Sequence, residues 1–536
     1  MSSMINNVGQ QQNNMDDIYH LAQSVRKKIG LEGDLEDKEL IDHLETASSE
    51  IKELLSSSFG PMGLNKLIIN HVDDVYLTND GKTIIEQMDV LHPIVTSLKE
   101  LSRSMDKSCG DGTKTAVILA SSLIINAVKL IKMGVHPTTI IKGYKLALNK
   151  AYELLELNSI TARSYDDSYA AILSATVSKG IEFDQAEILS TIVVDVVEHL
   201  RALSDDGYLD LDENVKIMKK VGGPEIVHLN GVILDETPAR FDMPQSLIEP
   251  RILILNYDIK LKSAFINSSH NISMDSIETA YLFEEERKRI LGSFAEKIIN
   301  TGANVVFCEG DVDSHIEECL VKNNILMFKK LKMKDLKSIS MATGAEIMSI
   351  RDDLDEQHLG RADKVEVKKR CGEDFAFISA NDQKFSTILI WEPVKYALEK
   401  VEEAADDALN TAAFILKNKM VVTGGGGIEF ELSQMLRNYA STIGGKEQLA
   451  VIEYANALEE IPRILAKNMG MNVIDSMTRM SHFYNKGLAA RVDRSRKITE
   501  NVPLVYDSAT IKKLAIISAT ETANSVLRID KIVLKK

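Results

Sequence analysis

The chain is poor in aromatic side chains, which make up 5% of its 536 residues and include a single tryptophan, Trp391. With so few flat side chains, recognition of unstacked bases is not expected. Basic residues are also short: 63 Lys and Arg stand against 79 Asp and Glu, a formal charge of −16. Such a balance disfavours a nucleic-acid backbone as the main partner, because nonspecific affinity for it depends on clustered cations. Cysteine is sparse. Cys109, Cys308, Cys319 and Cys371 lie far apart and form no CxxC or Cys/His ligand spacing, so reduced thiols are expected. The longest apolar window, Ala116 to Val128, is broken by Ser121, Ser122 and Asn126 and falls short of the roughly 20 residues that a membrane span needs. No membrane partner is expected. The first residues, "MSSMINNVGQQQNNMDD", have neither a basic start nor an apolar run, and read as a polar tail rather than a secretory signal.

With 44% hydrophobic and 26% charged residues, the composition is that of an aliphatic-rich helical or α/β protein. The length exceeds what one core organises and suggests three or four units. Apolar residues recur at helical spacing from Lys38 to Leu55 and stop at "SSSFGPMG", where Gly60, Pro61 and Gly63 break the pattern. A hairpin is expected next, with an acidic turn at Asp73 and Asp74, a strand from Val75 to Thr78 and a turn at Asn79, Asp80 and Gly81. Helices follow from Pro93 to about Leu157, interrupted at Gly134 and His136–Pro137. Residues 160 to 222 combine a helix, Gln185 to Leu203, with a strand in "VKIMKKVGG". Between about 224 and 376, strands ("RILILNY", "ANVVFCE", "NILMFKKL", "GAEIMSI") alternate with helices, which predicts a parallel α/β unit. From Ala397 onward the chain is again mainly helical. The simplest arrangement is nested, with both ends of the chain building one helical domain and the α/β unit inserted between two connecting segments.

Three glycine-rich stretches carry candidate chemistry. In "CGDGTKT", Cys109 to Thr115, Gly110 and Gly112 let a backbone approach an anion closely, Thr113 and Thr115 offer hydroxyls, and a helix N-terminus follows. Asp111 beside a phosphate cradle makes sense chiefly if Mg²⁺ bridges the two. Taken alone, the stretch fits a surface turn with an N-capping Asp at least as well. "TNDGKT", Thr78 to Thr83, is ordinary turn chemistry by itself. "VVTGGGGIE", Val421 to Glu429, costs chain entropy that either helix packing or a ligand could require. "GGKEQ", Gly444 to Gln448, lacks the glycine spacing and the Ser/Thr of a Walker A loop, and "LGRAD", Leu359 to Asp363, is not a dinucleotide fingerprint. HExxH, GxSxG and kinase signatures are absent.

The ordered motifs "SFGPMGLNKLI", "LTNDGKTIIEQMDVLHP", "GDGTKTAVILA", "TGANVVF", "VVTGGGGIEFELS", "ALEEIPRILAKNMGMNVID" and "SATETANSVLRIDKI" closely resemble chaperonins of the archaeal thermosome and eukaryotic CCT/TRiC type, the group II chaperonins. The resemblance runs from about residue 38 to Asp530. It implies a multidomain α+β and α/β chain: a polar tail (1–37), a mainly helical equatorial ATP-binding domain (38–158 and 414–536), a mixed intermediate hinge (159–222 and 377–413) and an apical substrate-binding domain (223–376). A helical lid protrusion would fall within 259–300. It further implies an ATP hydrolase, with ATP and Mg²⁺ bound, in a cytoplasmic double ring of paralogous subunits acting on unfolded or newly made proteins.

By the same resemblance, Gly60 and Pro61 form the phosphate loop, Asp111 holds Mg²⁺, and Gly112, Thr113, Lys114 and Thr115 line the phosphates. Asp80 and Asp407 are the water-activating acids, Lys179 senses the γ-phosphate, Gly425 lies by the ribose and Asp507 stands where a ribose-binding acid is used. There are departures. Met62 takes the place of a Lys, Lys114 that of a Thr, "LIWEP" (Leu389 to Pro393) that of an "IRGG"-like segment, and "RVD" (Arg491 to Asp493) that of a "GVD"-like adenine contact. These suit a specialised paralogue in a hetero-oligomer or a fast-evolving lineage, and raise the question whether turnover is slow. The alternative is a structural or assembly subunit with weak or no hydrolysis, and the two readings part at Asp80, Asp111 and Asp407.

Overall fold

The computed structural model describes residues 37–69, 75–88, 92–162, 165–204, 210–260, 277–349, 354–493, 497–500 and 505–529. The expected tail up to residue 36, the Asp73–Asp74 turn, residues 261–276 of the expected protrusion and the end of the chain from Asp530 lie outside them. Two compact units emerge: Met1–Val194 with Glu399–Lys536, and Asp195–Leu398.

The chain begins its described course with helix α1 (Asp37–Ser56), the antiparallel hairpin β1 (Lys66–Ile69) and β2 (Val75–Thr78), and a short helix α2 (Gly81–Glu86). Helices α3 (Pro93–Cys109), α4 (Thr113–Lys132) and α5 (Pro137–Leu157) follow, then β3 (Ile160–Thr161), α6 (Tyr165–Ser178) and α7 (Phe183–Ala202). Local chemistry sets these ends. His92 and His136 cap α3 and α5 with ring nitrogens that accept amide hydrogens, and each helix has Pro at its first turn. Helix α3 stops at Gly110, which is left-handed at φ 68°. Helix α6 was not expected: "YDDSYAAILSATVS" is rich in Ser, Thr and Val, so its propensity is weak and its helix depends on packing.

Next come one helical turn α8 (Leu211–Asn214) and strands β4 (Val215–Val221), β5 (Glu225–Leu234), β6 (Ser246–Ile248) and β7 (Arg251–Leu255). Helix α9 (Ile277–Asn300), β8 (Val305–Cys308), α10 (Ser314–Lys322), β9 (Leu326–Phe328), α11 (Met333–Thr343) and β10 (Ile347–Met348) alternate as the sequence predicts. They form a sheet in the order β10-β7-β8-β9, parallel throughout, to which β11 (Gly360–Arg361) adds antiparallel on β7. The flanking segments differ from the expected parallel unit. With β12 (Lys364–Arg370), β13 (Glu373–Ser379) and β14 (Ser386–Glu392), they build a second sheet, β4-β14-β5-β13-β12-β6, in which only the β4–β14 pair is parallel.

Gly231 is the pivot of that sheet. Residues 225–230 of β5 pair with β14, whereas 231–234 pair with β13. The backbone turns there at φ 129°, and a Cβ would lie 2.0 Å from the Ile378 carbonyl oxygen. Gly231→Ala is therefore expected to destabilise the Asp195–Leu398 unit by about 3 kcal/mol, through strain and a backbone clash. Urea unfolding followed by the fluorescence of Trp391, the only tryptophan and buried in the same sheet against Phe375, measures this.

Helix α12 (Lys395–Asn418) carries the chain back to β15 (Met420–Thr423), α13 (Gly427–Ala440), α14 (Glu447–Asn468) and α15 (Val473–Asn485). The hairpin β16 (Ala490–Asp493) and β17 (Lys497–Glu500), then β18 (Tyr506–Ser508) and α16 (Ala509–Val526), complete it. The core of this unit surrounds α4, whose residues from Ala116 to Ile124 are all buried. By length and composition alone α4 could cross a membrane; here its apolar side chains meet α1, α3, α5, α14 and α16. Two tyrosines inside the core, Tyr144 and Tyr454, meet edge to face and spend their hydroxyls on the Leu123 carbonyl and on Thr520. All four cysteines are free.

Candidate active site

Five segments of the first unit converge, beginning with the turn before α4. Gly110 and Gly112 are left-handed (φ 68° and 80°), and a Cβ on Gly112 would meet Ile511 at 2.8 Å. Gly112 occupies the N-cap position without a side-chain cap, and the first intrahelical bond runs from the Ala116 amide to the Gly112 carbonyl. The amides of Thr113, Lys114 and Thr115 thus have no partner within the helix, and their dipoles favour an anion. Asp111 does not cap them as the turn reading would require; its Oδ1 accepts only the neighbouring Gly112 amide.

The second segment is the turn before α2. Asp80 caps that helix, with Oδ2 accepting the Thr83 amide at 2.9 Å, and its Oδ1 lies 3.2 Å from Lys179 Nζ. Lys179, just past α6, reaches also to Asp407 Oδ2 of α12 at 2.5 Å. All three side chains are buried or nearly so. Two clips hold the lysine's own turn: Asn79 Nδ2 donates to the Lys179 carbonyl and Lys400 Nζ to the Gly180 carbonyl, each at 2.7 Å.

The fifth segment is the loop after α1. Gly60 is left-handed at φ 80° against Leu465, and Gly63 donates to the Gly60 carbonyl. Asn468 donates to the Ser56 and Phe59 carbonyls. Pro61 faces the Lys179 turn, where a Cβ built on Gly180 would lie 3.8 Å from the Pro61 carbonyl. Lys114 joins this loop to the Asp80 turn: its Nζ donates to the carbonyls of Ser58 (3.1 Å) and Asn79 (2.9 Å).

Electrostatics separate the two acids. Burial alone would raise the Asp80 carboxyl, but the Lys179 ammonium, the Thr83 amide and Lys114 outweigh it and hold it at about 2. Asp407 goes the other way: burial, with Asp111 and Asp80 nearby, pushes it up against the opposing pull of Lys179. Burial would lower Lys179, yet Asp407, Asp80 and Asp111 hold its proton firmly. Two carboxylates with proton affinities driven apart around one fixed cation are the arrangement that acid–base chemistry uses.

Gly425 and Asp507 lie at the glycine-rich turn after β15. The Gly425 carbonyl accepts the Val492 amide, and a Cβ on Gly424 would stand 3.0 Å from Asp507 Oδ1. Asp507 accepts from Ser174 Oγ at 2.9 Å and pairs with Lys512 at 3.0 Å, which also holds Glu429 at 2.6 Å. Leu465 separates this turn from the Gly60 loop, contacting the Cβ positions of both Gly60 and Gly426. Arg491 of the departed "RVD" is buried and turned onto Asp493 at 2.7 Å.

Glu403 was missed by the sequence reading. It lies one turn before Asp407 on α12, and burial together with Asp80 pushes its carboxyl up to about 7. The i, i+4 spacing of the two acids within "EEAADDALN" was the available signal. Among the described residues no cluster of three or more His, Cys, Asp or Glu could hold a metal. Asp111, a single carboxylate beside the uncapped N-terminus of α4, is the kind of donor that Mg²⁺ takes together with substrate phosphates.

Residues 51–536 match the profile of the TCP-1/cpn60 chaperonin family. Thermosome subunit alpha of Methanothermobacter thermautotrophicus is 36% identical over 492 residues, covering 91% of this chain and 90% of that protein. A thermosome subunit of Methanopyrus kandleri is 34% identical over 495 residues, and thermosome subunit beta of Methanothermobacter thermautotrophicus 33% over 492, with the same coverage. With the family profile matched across nearly its whole length and relatives of this identity, the chain belongs to the TCP-1/cpn60 chaperonins, on their group II side.

Proposed function

We propose that this chain is an ATP-hydrolysing subunit of a cytoplasmic double-ring chaperonin that assists the folding of other proteins. The observation that carries the reading is the buried Asp80–Lys179–Asp407 cluster beside the uncapped N-terminus of α4. The three-domain division (38–158 with 414–536, 159–222 with 377–413, and 223–376) belongs to the same proposal, with the last segment binding clients. Relatives named as alpha and beta subunits support a ring of paralogous chains.

In this mechanism the free amides of Thr113, Lys114 and Thr115, the Thr hydroxyls and the Gly60–Pro61 loop bind the ATP phosphates, with Gly425 and Asp507 at the ribose. Asp111 would hold Mg²⁺, which when bound offsets the charge on the phosphates. Asp407, the more basic acid, takes the proton of the attacking water, and Asp80 stays anionic and orients that water. Lys179 pairs with both acids and favours the anionic form of each, and in contact with the γ-phosphate it would report hydrolysis to the hinge.

The deciding measurement is phosphate release by the assembled Asp407→Ala protein, alongside its nucleotide affinity. Lost release with retained affinity supports the reading. Unchanged release in an assembled particle overturns it in favour of a structural subunit.

A further inference from the structure

We infer that Lys114 is a positioning residue that sets the register of Asp80, by clamping the carbonyl of the residue before it to α4 and to the loop after α1. The inference rests on the reading of this site as an ATPase and assigns Lys114 a role other than direct phosphate binding.

The geometry is specific. Lys114 lies in the first turn of α4, where an outward ammonium would face the phosphate-binding amides. Instead Nζ donates to the carbonyls of Asn79 and Ser58, 35 and 56 residues away in sequence. Bonds from a charged donor are the stronger kind. The stem is accommodated by Gly81, where a Cβ would come within 2.4 Å of Lys114 Cγ and 3.4 Å of its amide nitrogen. The slot and the lysine fit each other: any side chain at 81 displaces the stem, and a shorter side chain at 114 leaves both carbonyls without their donor. Burial and the Lys179 ammonium lower the Lys114 ammonium to about 8, while Asp80, Asp407 and Asp111 support its charge.

The two carbonyls are not equally dependent on it. The loop after α1 is also held by Asn468 on the Ser56 and Phe59 carbonyls and by the Gly63–Gly60 bond. The tethers around Asn79 instead run mostly through side chains of its own turn. Asn79 Nδ2 holds the Lys179 carbonyl, the Asp80 amide donates to Thr78 Oγ1, and the Asp80 carboxylate bonds to Thr83. Loss of the ammonium therefore falls mainly on Asp80, an orienting acid, rather than on the phosphate loop.

The test uses the full-length assembled protein, with Lys114→Met to remove the ammonium at similar volume and Gly81→Ala to displace the stem while leaving Lys114 intact. Each variant is expected to lower kcat for ATP on the order of tenfold to a hundredfold with KM little changed. Without nucleotide, amide hydrogen exchange should quicken in residues 78–83 while α3 and α14 keep their protection. Unchanged exchange at 78–83 in both variants overturns the clamp. So does a raised KM at unchanged kcat, which would put the ammonium on the nucleotide. If the wild-type particle released no phosphate, the ATPase reading would fail while the exchange measurement still decided the clamp.

Discussion

Asp407→Ala is expected to lower phosphate release by on the order of 10²- to 10⁴-fold, the usual cost of losing a general base, while nucleotide affinity stays near wild type. The asymmetry between the two acids underlies the size of the effect. Asp80 is held at about 2 and has little tendency to accept a proton near neutral pH. Asp407, raised by burial and by Asp111 and Asp80, is the stronger base and is buried beside Lys179. The elements assigned to phosphate binding, the α4 amides and the Gly60 loop, take no support from the Asp407 side chain. Lys179 keeps a second anionic neighbour in Asp80 at 3.2 Å, so the variant does not strand a buried cation. Initial-rate phosphate release and equilibrium binding of a non-hydrolysable ATP analogue measure the two quantities separately.

Lys179→Met is expected to destabilise the same unit by about 3–5 kcal/mol, as it leaves Asp80 and Asp407 buried without their common cation. Pairing it with Asp407→Asn should recover part of that loss, because one of the two stranded charges is gone. The pH dependence gives a second signature. In the wild type Asp80 lies below its unfolded value, so its contribution is fully present above pH ~4 and is lost as pH falls toward ~2. In Lys179→Met the Asp80 carboxyl also shifts above its unfolded value, as Asp407 already does in the wild type. The folded state then binds more protons than the unfolded one, and the variant gains stability as pH falls from 7 toward ~4. The gap between the two proteins should therefore narrow from pH 7 to pH 5. Urea midpoints at the two pH values, with and without Asp407→Asn, read this directly; a gap that widens on acidification would contradict the ion-pair account.

Periodicity placed α1, α3, α4 and α5 and the alternating strands β7 to β10 with their helices, since each has a long apolar face or a short apolar run bounded by turn residues. It did not find α6, whose small and β-branched residues carry no strong face. Nor did it separate the antiparallel sheet from the parallel one, because strand pairing joins β4, β5 and β14 across long stretches of sequence. The site divides in the same way. "CGDGTKT" was visible as a possible anion turn, but the convergence of Asp80, Lys179 and Asp407 came only through the family resemblance. Lys114 shows the limit of the resemblance: the family pattern puts it along the phosphates, whereas the carbonyls its ammonium bonds come from two distant loops.

The nesting of Asp195–Leu398 within the other unit has a consequence for synthesis. Asp80 and Lys179 leave the ribosome before the inserted unit, and Asp407 only after all of it. Helices α14 and α16, which complete the packing around α4, come later still. The inserted segment can gather its own strands while the earlier helices wait with an unfinished core and two charged side chains lacking their third member. During translation the amino-terminal helices are therefore expected to keep an unfinished core, with apolar surface exposed, until α16 has emerged.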